Sequence, residues 1–430
     1  MKLNLKTTAI KFGHLLFGSL GSQLLILVSM PVLTRLYTVD NFGVYGTYLA
    51  FVNVASVFAT FRYERGIVVA NDIAEAYSIF FLTLLIAMLM IPISYTMILI
   101  WSDNSLWQDF ILKDLFIYFP VIVALAIGFS GAESAFRYLA LKRQGYRALG
   151  FTQISRSVLM VSVQILFVFV VLPMSEYGLI VGAAIAPGFV ALVLFLWLRK
   201  QQWLSSQHID FSFRSIFYSA KKNIIYPKYM VWSALFNSLT NAAPILILGG
   251  LFSNAVVGAV FLAFRILMAP TRLISLNFSL VNLQEAAGLS GKKMTYLYQR
   301  RIKKICLLGA IPFLIAVIFS PYIFEILFGK EWTKAGEYAR LLSPAVYIQF
   351  VMMSFLTLFT ALKAQKTYLA WSFGRVILVV SALLVGAYVD GIYGSLIGFT
   401  IASMVSYFVA HILIMNRLAS AEIEWSKVAE

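Results

Sequence analysis

Residues 77–101 read YSIFFLTLLIAMLMIPISYTMILIW, a run without any charged side chain. A helix rises about 1.5 Å per residue and the hydrocarbon core of a bilayer is about 30 Å thick, so this run is long enough to span a membrane. Similar apolar runs follow one another along the whole chain. We predict about twelve spans, at residues 12–34, 42–61, 77–101, 115–140, 150–172, 177–198, 229–250, 255–276, 303–328, 340–362, 367–389 and 392–415.

The composition is that of an all-α integral membrane protein. The chain has 430 residues, of which 61% are hydrophobic and only 12% are charged, and its mean hydropathy is +0.87. A soluble protein of this length would be far more polar. The spans leave no room for a sizeable soluble domain, and the opening MKLNLK is not followed by a small-residue cleavage site, so we expect no cleavable signal peptide.

The basic residues indicate orientation and do not indicate nucleic acid. The net charge is +16, but most Lys and Arg form short clusters in every second gap between spans, which is how membrane proteins set their topology. By this rule both termini are cytoplasmic. We expect the chain to lie in the cytoplasmic (inner) membrane of a bacterium. The gaps predicted to face outward, together with the first residue of the span that begins at 340, hold few basic residues, namely Arg35, Lys113, Lys330, Lys334 and Arg340.

Several classes of chemistry lack the residues that they need. Cys306 is the single cysteine and the three histidines are far apart, so we expect no disulfide, metal site or cofactor. The chain has no GxxxxGK[ST] loop for a nucleotide. The predicted outward gaps are short, whereas envelope polymerases and ligases usually need a large external loop. We therefore do not expect an enzyme.

The chain divides near its middle. The longest predicted cytoplasmic connection, 199–228, separates an N-terminal lobe, 1–198, from a C-terminal lobe, 229–430. Within the connection, apolar residues at helical spacing oppose basic ones, which predicts an amphipathic helix on the inner leaflet. The predicted apolar face holds Phe213, Ile216, Phe217, Ala220, Ile224 and Ile225, and the other face holds Arg214, Lys221 and Lys222.

A short repeat links the two lobes. The segments YTVDNFG at 37–43 and FSNAVVG at 252–258 each place an aromatic residue, a hydroxyl and a glycine at the same spacing, with Pro31 and Pro244 upstream. The hydroxyl is predicted to cap the helix that follows. Six spans per lobe give the lobes the same orientation, an architecture typical of secondary transporters with a substrate site between the repeats.

Two stretches resemble the polysaccharide flippases of the multidrug/oligosaccharidyl-lipid/polysaccharide exporter superfamily. The first is PVLTRLY at 31–37, then NFGVY at 41–45 and FRYERGIVVA at 61–70. The second combines Tyr226-Pro227, Asn237, Pro244 to Gly249 and Gly258 with FRILMAP at 264–270 and QEAA at 284–287.

The resemblance implies two pseudo-symmetric six-helix lobes around a central cavity. It also implies a function, the transfer of a polyprenyl-pyrophosphate-linked oligosaccharide from the inner to the outer leaflet by alternating access. The cargo would be an undecaprenyl-linked repeat unit of O-antigen lipopolysaccharide or of an exopolysaccharide. The resemblance also implies that the protein contacts membrane lipids. Its protein partners would be the polymerase and the chain-length regulator of the same pathway.

Independently of the resemblance, the predicted spans contain arginines, which are costly inside a membrane. Each costs about 2.5–3.5 kcal/mol at the bilayer centre on insertion scales, so we expect them to face a wet interior or to be paired. A cationic, aqueous passage is also what a glycan with a pyrophosphate needs in order to cross hydrocarbon. The five are Arg137, Arg156, Arg265, Arg272 and Arg375.

Glu133 lies in a predicted span and stands four residues before Arg137 on one helix. The two form either a structural ion pair or a group that handles cargo or protons. Arg265 and Arg272 are two helical turns apart, so we predict one cavity-lining face, with Arg265 on the pyrophosphate. Arg375 is also predicted to contact cargo.

The remaining candidates lie at span ends. Arg62 and Arg65 are predicted at the inner surface, where they either recruit the pyrophosphate or set topology beside Glu64. Arg35 is predicted outside, as a release contact or an ordinary interfacial residue. Arg156 and Arg272 are close enough to span ends to reach lipid headgroups instead.

Two alternatives stay open. One is an exporter of another lipid-linked precursor or a drug; cationic drugs, however, would favour an acidic cavity. The other, from a different class, is a membrane glycosyltransferase or polymerase, which would need catalytic carboxylates in a large loop.

Overall fold

The structure is a computed structural model that describes residues 5–102, 118–170, 177–203, 213–275, 292–362 and 364–429, together with Phe278, Ser279 and Asn282. In these ranges every regular element is a helix, which confirms the predicted fold class. The chain divides into two compact units, Met1–Ser238 and Leu239–Glu430.

Unit 1 holds the first eight helices. They are α1 Leu5–Leu36, α2 Val39–Ala55, α3 Glu64–Val69, α4 Ile73–Ser102, α5 Phe119–Lys142, α6 Tyr146–Val170, α7 Gly178–Lys200 and α8 Phe213–Lys222. A π-helical turn at Tyr226–Met230 leads into α9, Val231–Leu251, which carries the chain from unit 1 into unit 2.

Unit 2 continues with five more helices. They are α10 Asn254–Pro270, α11 Lys292–Phe328, α12 Thr333–Met353, α13 Leu358–Ala361 and α14 Gln365–Ala429, with a π-helical turn at Thr271–Ser275 after α10. The backbone of α14 leaves helical geometry at Asp390 and at Gly391, where φ is +54°. Trp371 Nε1 donates to the Ser406 carbonyl at 2.7 Å and Ser395 Oγ to that of Leu383 at 2.9 Å, so α14 is an antiparallel hairpin of two helices.

The predicted number of spans agrees with this architecture. In the described ranges, ten helical stretches are long and apolar enough to cross a membrane. One of them, Gln365–Ser420, contains the α14 hairpin and so accounts for two predicted spans. The remaining predicted span corresponds to α2, which has 17 residues. The chain is a multi-pass membrane protein.

The repeat appears as two helices of equal length. α2 and α10 have 17 residues each, and Thr38 and Ser253 occupy their N-cap positions. The predicted cap is confirmed for Thr38, whose Oγ1 accepts from the Asn41 amide at 3.3 Å while Asn41 Oδ1 accepts from the Thr38 amide at 3.0 Å. The Ser253 side chain makes no capping hydrogen bond.

The predicted span 42–61 extends beyond the C-terminal end of the observed helix α2. α2 ends at Ala55, and successive turns replace it, with Phe58 N bonded to the Ala55 carbonyl at 3.0 Å. Phe61 and Arg62 then adopt φ values of +45° and +64°. An α-helix cannot continue through such left-handed residues, which cost energy outside glycine.

The predicted amphipathic helix exists as α8, and Ile216 and Ala220 of its predicted apolar face pack against a buried cluster that includes Tyr63 and Tyr77. Ser78 on α4 and Ser215 share a hydrogen bond of 2.7 Å, and Tyr63 donates to the Ala220 carbonyl at 3.2 Å. Phe217, also on the predicted apolar face, is exposed at the surface of the protein. Polar hydrogen bonds to α4 and to Tyr63 therefore add to the apolar contacts of α8.

A candidate anion site in unit 1

A buried carboxylate joins two arginines in the middle of unit 1. Glu133 Oε1 lies 2.5 Å from Arg137 Nη2 on the same helix and 3.2 Å from Arg156 Nη1 on α6. Only 6% of the Glu133 side chain is exposed, whereas 39% of Arg137 and 40% of Arg156 are exposed. The carboxylate is therefore buried, while the side chains of both arginines are partly exposed.

The local fold explains why these three residues meet. α5 and α6 are connected by the short turn Arg143–Gly145, in which Gln144 has a φ of +58°. Glu133 precedes this turn by about the same number of residues as Arg156 follows it, so both lie roughly 15 Å from the turn along antiparallel helices. The i,i+4 spacing adds Arg137 to the same face.

The neighbouring helices fix α6 in place. Ser157, next to Arg156, shares a hydrogen bond of 2.6 Å with Ser22 on α1. One face of α6 is thus committed to α1, while Arg156 reaches toward α5.

The charges of this cluster do not cancel. One carboxylate faces two guanidinium groups, so a net positive charge remains among apolar helices, where an unpaired cation is costly. A guanidinium has five N–H donors in a planar fork, and one carboxylate oxygen occupies few of them. The arrangement is suited to a multivalent anion such as a phosphate.

The partner of Arg156 was not predicted. This arginine was expected to face a wet interior, to be paired or to reach lipid headgroups, and it contacts Glu133. The signal that could have identified it is its distance from the α5–α6 turn, which matches that of Glu133.

A second group of charged residues lies around the short helix α3, which follows α2. Arg62 is 3.7 Å from the buried Glu64, and Arg65 is exposed. Burial lowers the pKa of Arg62 and the Glu64 charge opposes that change. Lys142 Nζ donates to the carbonyls of Val68 and Ala70 at 3.1 and 2.6 Å, which satisfies the C-terminal end of α3.

Arg143 connects the turn after α5 to aromatic residues of α4 and of the segment after α7. Its guanidinium donates to the Tyr77 hydroxyl at 3.0 Å and lies over the rings of Tyr77 and Trp203 at 5.7 and 5.4 Å. Lys222 of α8 pairs with Glu75 of α4 at 2.7 Å. These contacts were not predicted, because they join residues that are far apart in sequence.

The arginines of unit 2 are dispersed. The Arg265 guanidinium lies 5.6 Å from the ring centre of Phe261 and is partly buried. Arg272 follows the end of α10 in the π-helical turn. Its side chain is outside the described part, so the common face with Arg265 stays a prediction.

Arg375 occupies an aromatic enclosure. Only 4% of it is exposed, and its guanidinium lies 4.4 Å from the ring centre of Tyr407 and 5.5 Å from that of Trp371. In this conformation it is not accessible to cargo. Arg35, at the end of α1, is exposed.

No cluster of His, Cys, Asp and Glu that could hold a metal ion occurs among the described residues. Of the predicted site residues, the structure brings together Glu133 and Arg137 in one place and Arg62 and Arg65 in another. Arg35 is at the end of α1, and Arg265 and Arg375 belong to unit 2.

Solved structures of membrane transporters have a similar architecture. The chain is similar in fold to the Vibrio cholerae MATE transporter VcmN in the bent form, with 14% identity, a TM-score of 0.60 and coverage of 97% of this chain and 98% of that one. Two other similar structures are the inward-facing and outward-facing conformations of a multidrug resistance MATE family transporter of the MOP superfamily. Their identities are 15% and 14%, their TM-scores 0.59 and 0.61, and the coverage is 95% of this chain for both and 95% and 94% of the matched chains.

None of the curated protein sequences shows significant similarity to this one. A family model described as polysaccharide biosynthesis protein matches residues 32–337, which is well over half of the chain. The chain is therefore a multi-pass membrane protein with the fold of the MATE transporters, and it belongs to the polysaccharide biosynthesis protein family.

Proposed function

We propose that this protein is a flippase, which moves a polyprenyl-pyrophosphate-linked oligosaccharide from the inner to the outer leaflet of the bacterial cytoplasmic membrane. The family concerns polysaccharide biosynthesis, and the fold is that of transporters with repeated lobes. A lipid-linked sugar is the form of polysaccharide precursor that needs such a carrier, because its head cannot cross hydrocarbon without losing water.

The observation that carries the proposal is the Glu133–Arg137–Arg156 cluster. Two accessible guanidinium groups around one buried carboxylate present a net positive charge inside membrane-spanning helices. Arginine forks bind phosphate oxygens bidentately, so the pair can hold a diphosphate while the lipid tail stays in the bilayer. An exporter of cationic drugs would gain nothing from this charge.

Other arginines are proposed to act before and after this step. Arg62 and Arg65 would receive the pyrophosphate at the cytoplasmic end, Arg265 and Arg272 would hold it in unit 2, and Arg35 would release it outside. Arg375 is a weaker candidate, since its guanidinium is enclosed by aromatic rings.

The second candidate is an exporter of a drug or of another lipid-linked precursor. The observation that favours it is the likeness in fold to a multidrug resistance MATE family transporter. The identity of that match is 15%, so the likeness concerns the fold alone.

The test is the export of surface polysaccharide in a strain whose own copy of the protein is replaced by variants. Arg137→Ala with Arg156→Ala should reduce export at least tenfold at normal protein level, and undecaprenyl-linked oligosaccharide should accumulate in the inner leaflet. Arg340→Ala is the control, since this exposed arginine lies in unit 2 outside the cluster. Normal export by the double variant would overturn the proposal.

The orientation can be tested separately with a membrane-impermeant maleimide on intact cells, after Cys306→Ser removes the native thiol. With both termini cytoplasmic, Arg35→Cys should be labelled and Lys221→Cys should not. The reverse pattern would contradict the proposed direction of transport.

A further inference from the structure

We infer that Glu133 is an exchangeable counter-ion, which holds Arg137 and Arg156 together in the absence of cargo and gives them up to the diphosphate of the cargo. When the cargo leaves, the carboxylate takes the arginines back. This inference rests on the proposed function, and it assigns Glu133 a positioning and release role rather than a direct contact to cargo.

The first argument is that both arginines use the same oxygen. Arg137 Nη2 and Arg156 Nη1 lie 2.5 and 3.2 Å from Glu133 Oε1. Two guanidinium groups this close repel each other, and the repulsion grows as the surroundings become less polar. The carboxylate between them is therefore what keeps a ready pair of cations at one place on α5 and α6.

The second argument is the difference in accessibility. The Glu133 side chain is 6% exposed while those of the two arginines are 39% and 40% exposed. Glu133 belongs to the packed side of α5, where Ala126 and Ala140, each seven residues away on the same face, are also buried. An anion that arrives from the accessible side meets the arginine side chains before the buried carboxylate.

The third argument concerns charge. A diphosphate carries more negative charge than one carboxylate and offers more oxygens, so it competes well for both forks. Glu133 must lose part of its bonding when cargo binds, and that loss weakens the net affinity. A carrier benefits from this, because release of a tightly held ligand is often the slow step of a cycle.

A purely structural ion pair predicts the opposite behaviour. If Glu133 only positions the arginines, its removal should let them move apart and weaken the binding of anions. If Glu133 competes with cargo, its removal should strengthen binding and slow dissociation. The two readings therefore differ in the sign of a measurable change.

The experiment uses the purified full-length chain in nanodiscs with a polyprenyl diphosphate that carries no sugar as the probe. Equilibrium affinity and dissociation rate are measured for the wild type and for Glu133→Gln, which keeps the shape and removes the charge. We expect Glu133→Gln to bind the probe about tenfold more tightly, to release it correspondingly more slowly, and to export less polysaccharide in cells.

Two further variants complete the test. Glu75→Gln is the matched control, because Glu75 also pairs with a basic residue of unit 1, Lys222 at 2.7 Å, outside the cluster; its affinity should equal that of the wild type. Glu133→Asp keeps the charge on a shorter side chain, so its affinity should lie between those of the wild type and Glu133→Gln, and it serves if Glu133→Gln does not fold.

The outcomes separate the two proposals. Affinity that is unchanged or weaker in Glu133→Gln or, if that variant does not fold, in Glu133→Asp overturns the counter-ion role and leaves the flippase proposal standing. Failure of the wild type to bind the diphosphate lipid overturns the proposed function itself and this inference with it.

Discussion

Gly18 of α1 and Gly150 of α6 face each other so closely that a Cβ on Gly18 would lie 2.4 Å from the Gly150 carbonyl oxygen. Small residues at such crossings let membrane helices approach closely. The same crossing fixes α6, the helix that carries Arg156, against α1.

Gly18→Ala should therefore destabilise unit 1 by about 1–3 kcal/mol, since the atoms that the new methyl group meets are backbone. The measurement is thermal unfolding of the detergent-purified protein. Gly13→Ala is a matched control on the same helix, because a Cβ there meets nothing within 4 Å. Equal melting temperatures for the two variants would mean that α1 and α6 do not cross in this way.

The sequence predicted the pair in the anion cluster whose members are close in sequence and did not predict the pair whose members are far apart. Glu133 and Arg137 could be paired from their spacing on one helix, because helical geometry alone brings them together. Arg156 is 23 residues from Glu133, and its pairing requires that α5 and α6 be adjacent and in register. That information lies in the packing of α6 on α1, which hydropathy does not report.

The fold itself was largely predictable because a bilayer imposes strong rules. Apolar length and charge asymmetry are sufficient to predict about twelve spans, even where a hairpin such as α14 reverses at one glycine, Gly391. Where the prediction failed, the local backbone decided the structure. α2 ends at Ala55 before left-handed residues.

Arg375 should prove to be a stabilising residue in the α14 hairpin. Its guanidinium lies over Tyr407 and Trp371, and a desolvated cation–π contact contributes about 2 kcal/mol. Arg375→Ala should lower the melting temperature, and Arg375→Lys should do so less. Export per folded molecule should stay near the wild-type value in both.

The contrary result would restore the cargo role first predicted for Arg375. In that case Arg375→Ala would melt like the wild type and yet export no polysaccharide. Arg417→Ala is a suitable comparison, because Arg417 is an exposed arginine near the end of the same hairpin and donates only to the Thr367 hydroxyl in the described contacts.

The docked position of α8 can be tested by cross-linking. Ser78 Oγ and Ser215 Oγ are 2.7 Å apart, so Ser78→Cys with Ser215→Cys in a Cys306→Ser background should form a disulfide on mild oxidation. The bond is detected as a mobility shift after cleavage of the chain between α4 and α8. Lys221→Cys in place of Ser215→Cys should not cross-link, because Lys221 is on the exposed face of α8. Efficient cross-linking of both pairs would indicate that α8 rolls freely on α4.

Lys142 should govern the order of the segment that carries Arg62 and Arg65. Its ammonium group donates to the carbonyls of Val68 and Ala70, the last acceptors of the six-residue helix α3. A helix this short has little stability of its own, so Lys142→Met should speed hydrogen exchange in residues 64–70 severalfold. Lys221→Met should leave that exchange unchanged, and equal exchange in both variants would exclude the capping role.

Arg265 should show whether unit 2 takes part in binding the diphosphate. Its guanidinium is partly buried beside Phe261 within a membrane-spanning helix, a position that is costly for an arginine without function. Arg265→Ala should abolish polysaccharide export at near-normal protein level, and Arg265→Lys should be at least partly impaired, because an ammonium group cannot make a bidentate contact to phosphate. If Arg265→Lys and Arg265→Ala export equally well, the diphosphate is held by Arg137 and Arg156 alone and unit 2 contributes only to the passage for the sugar.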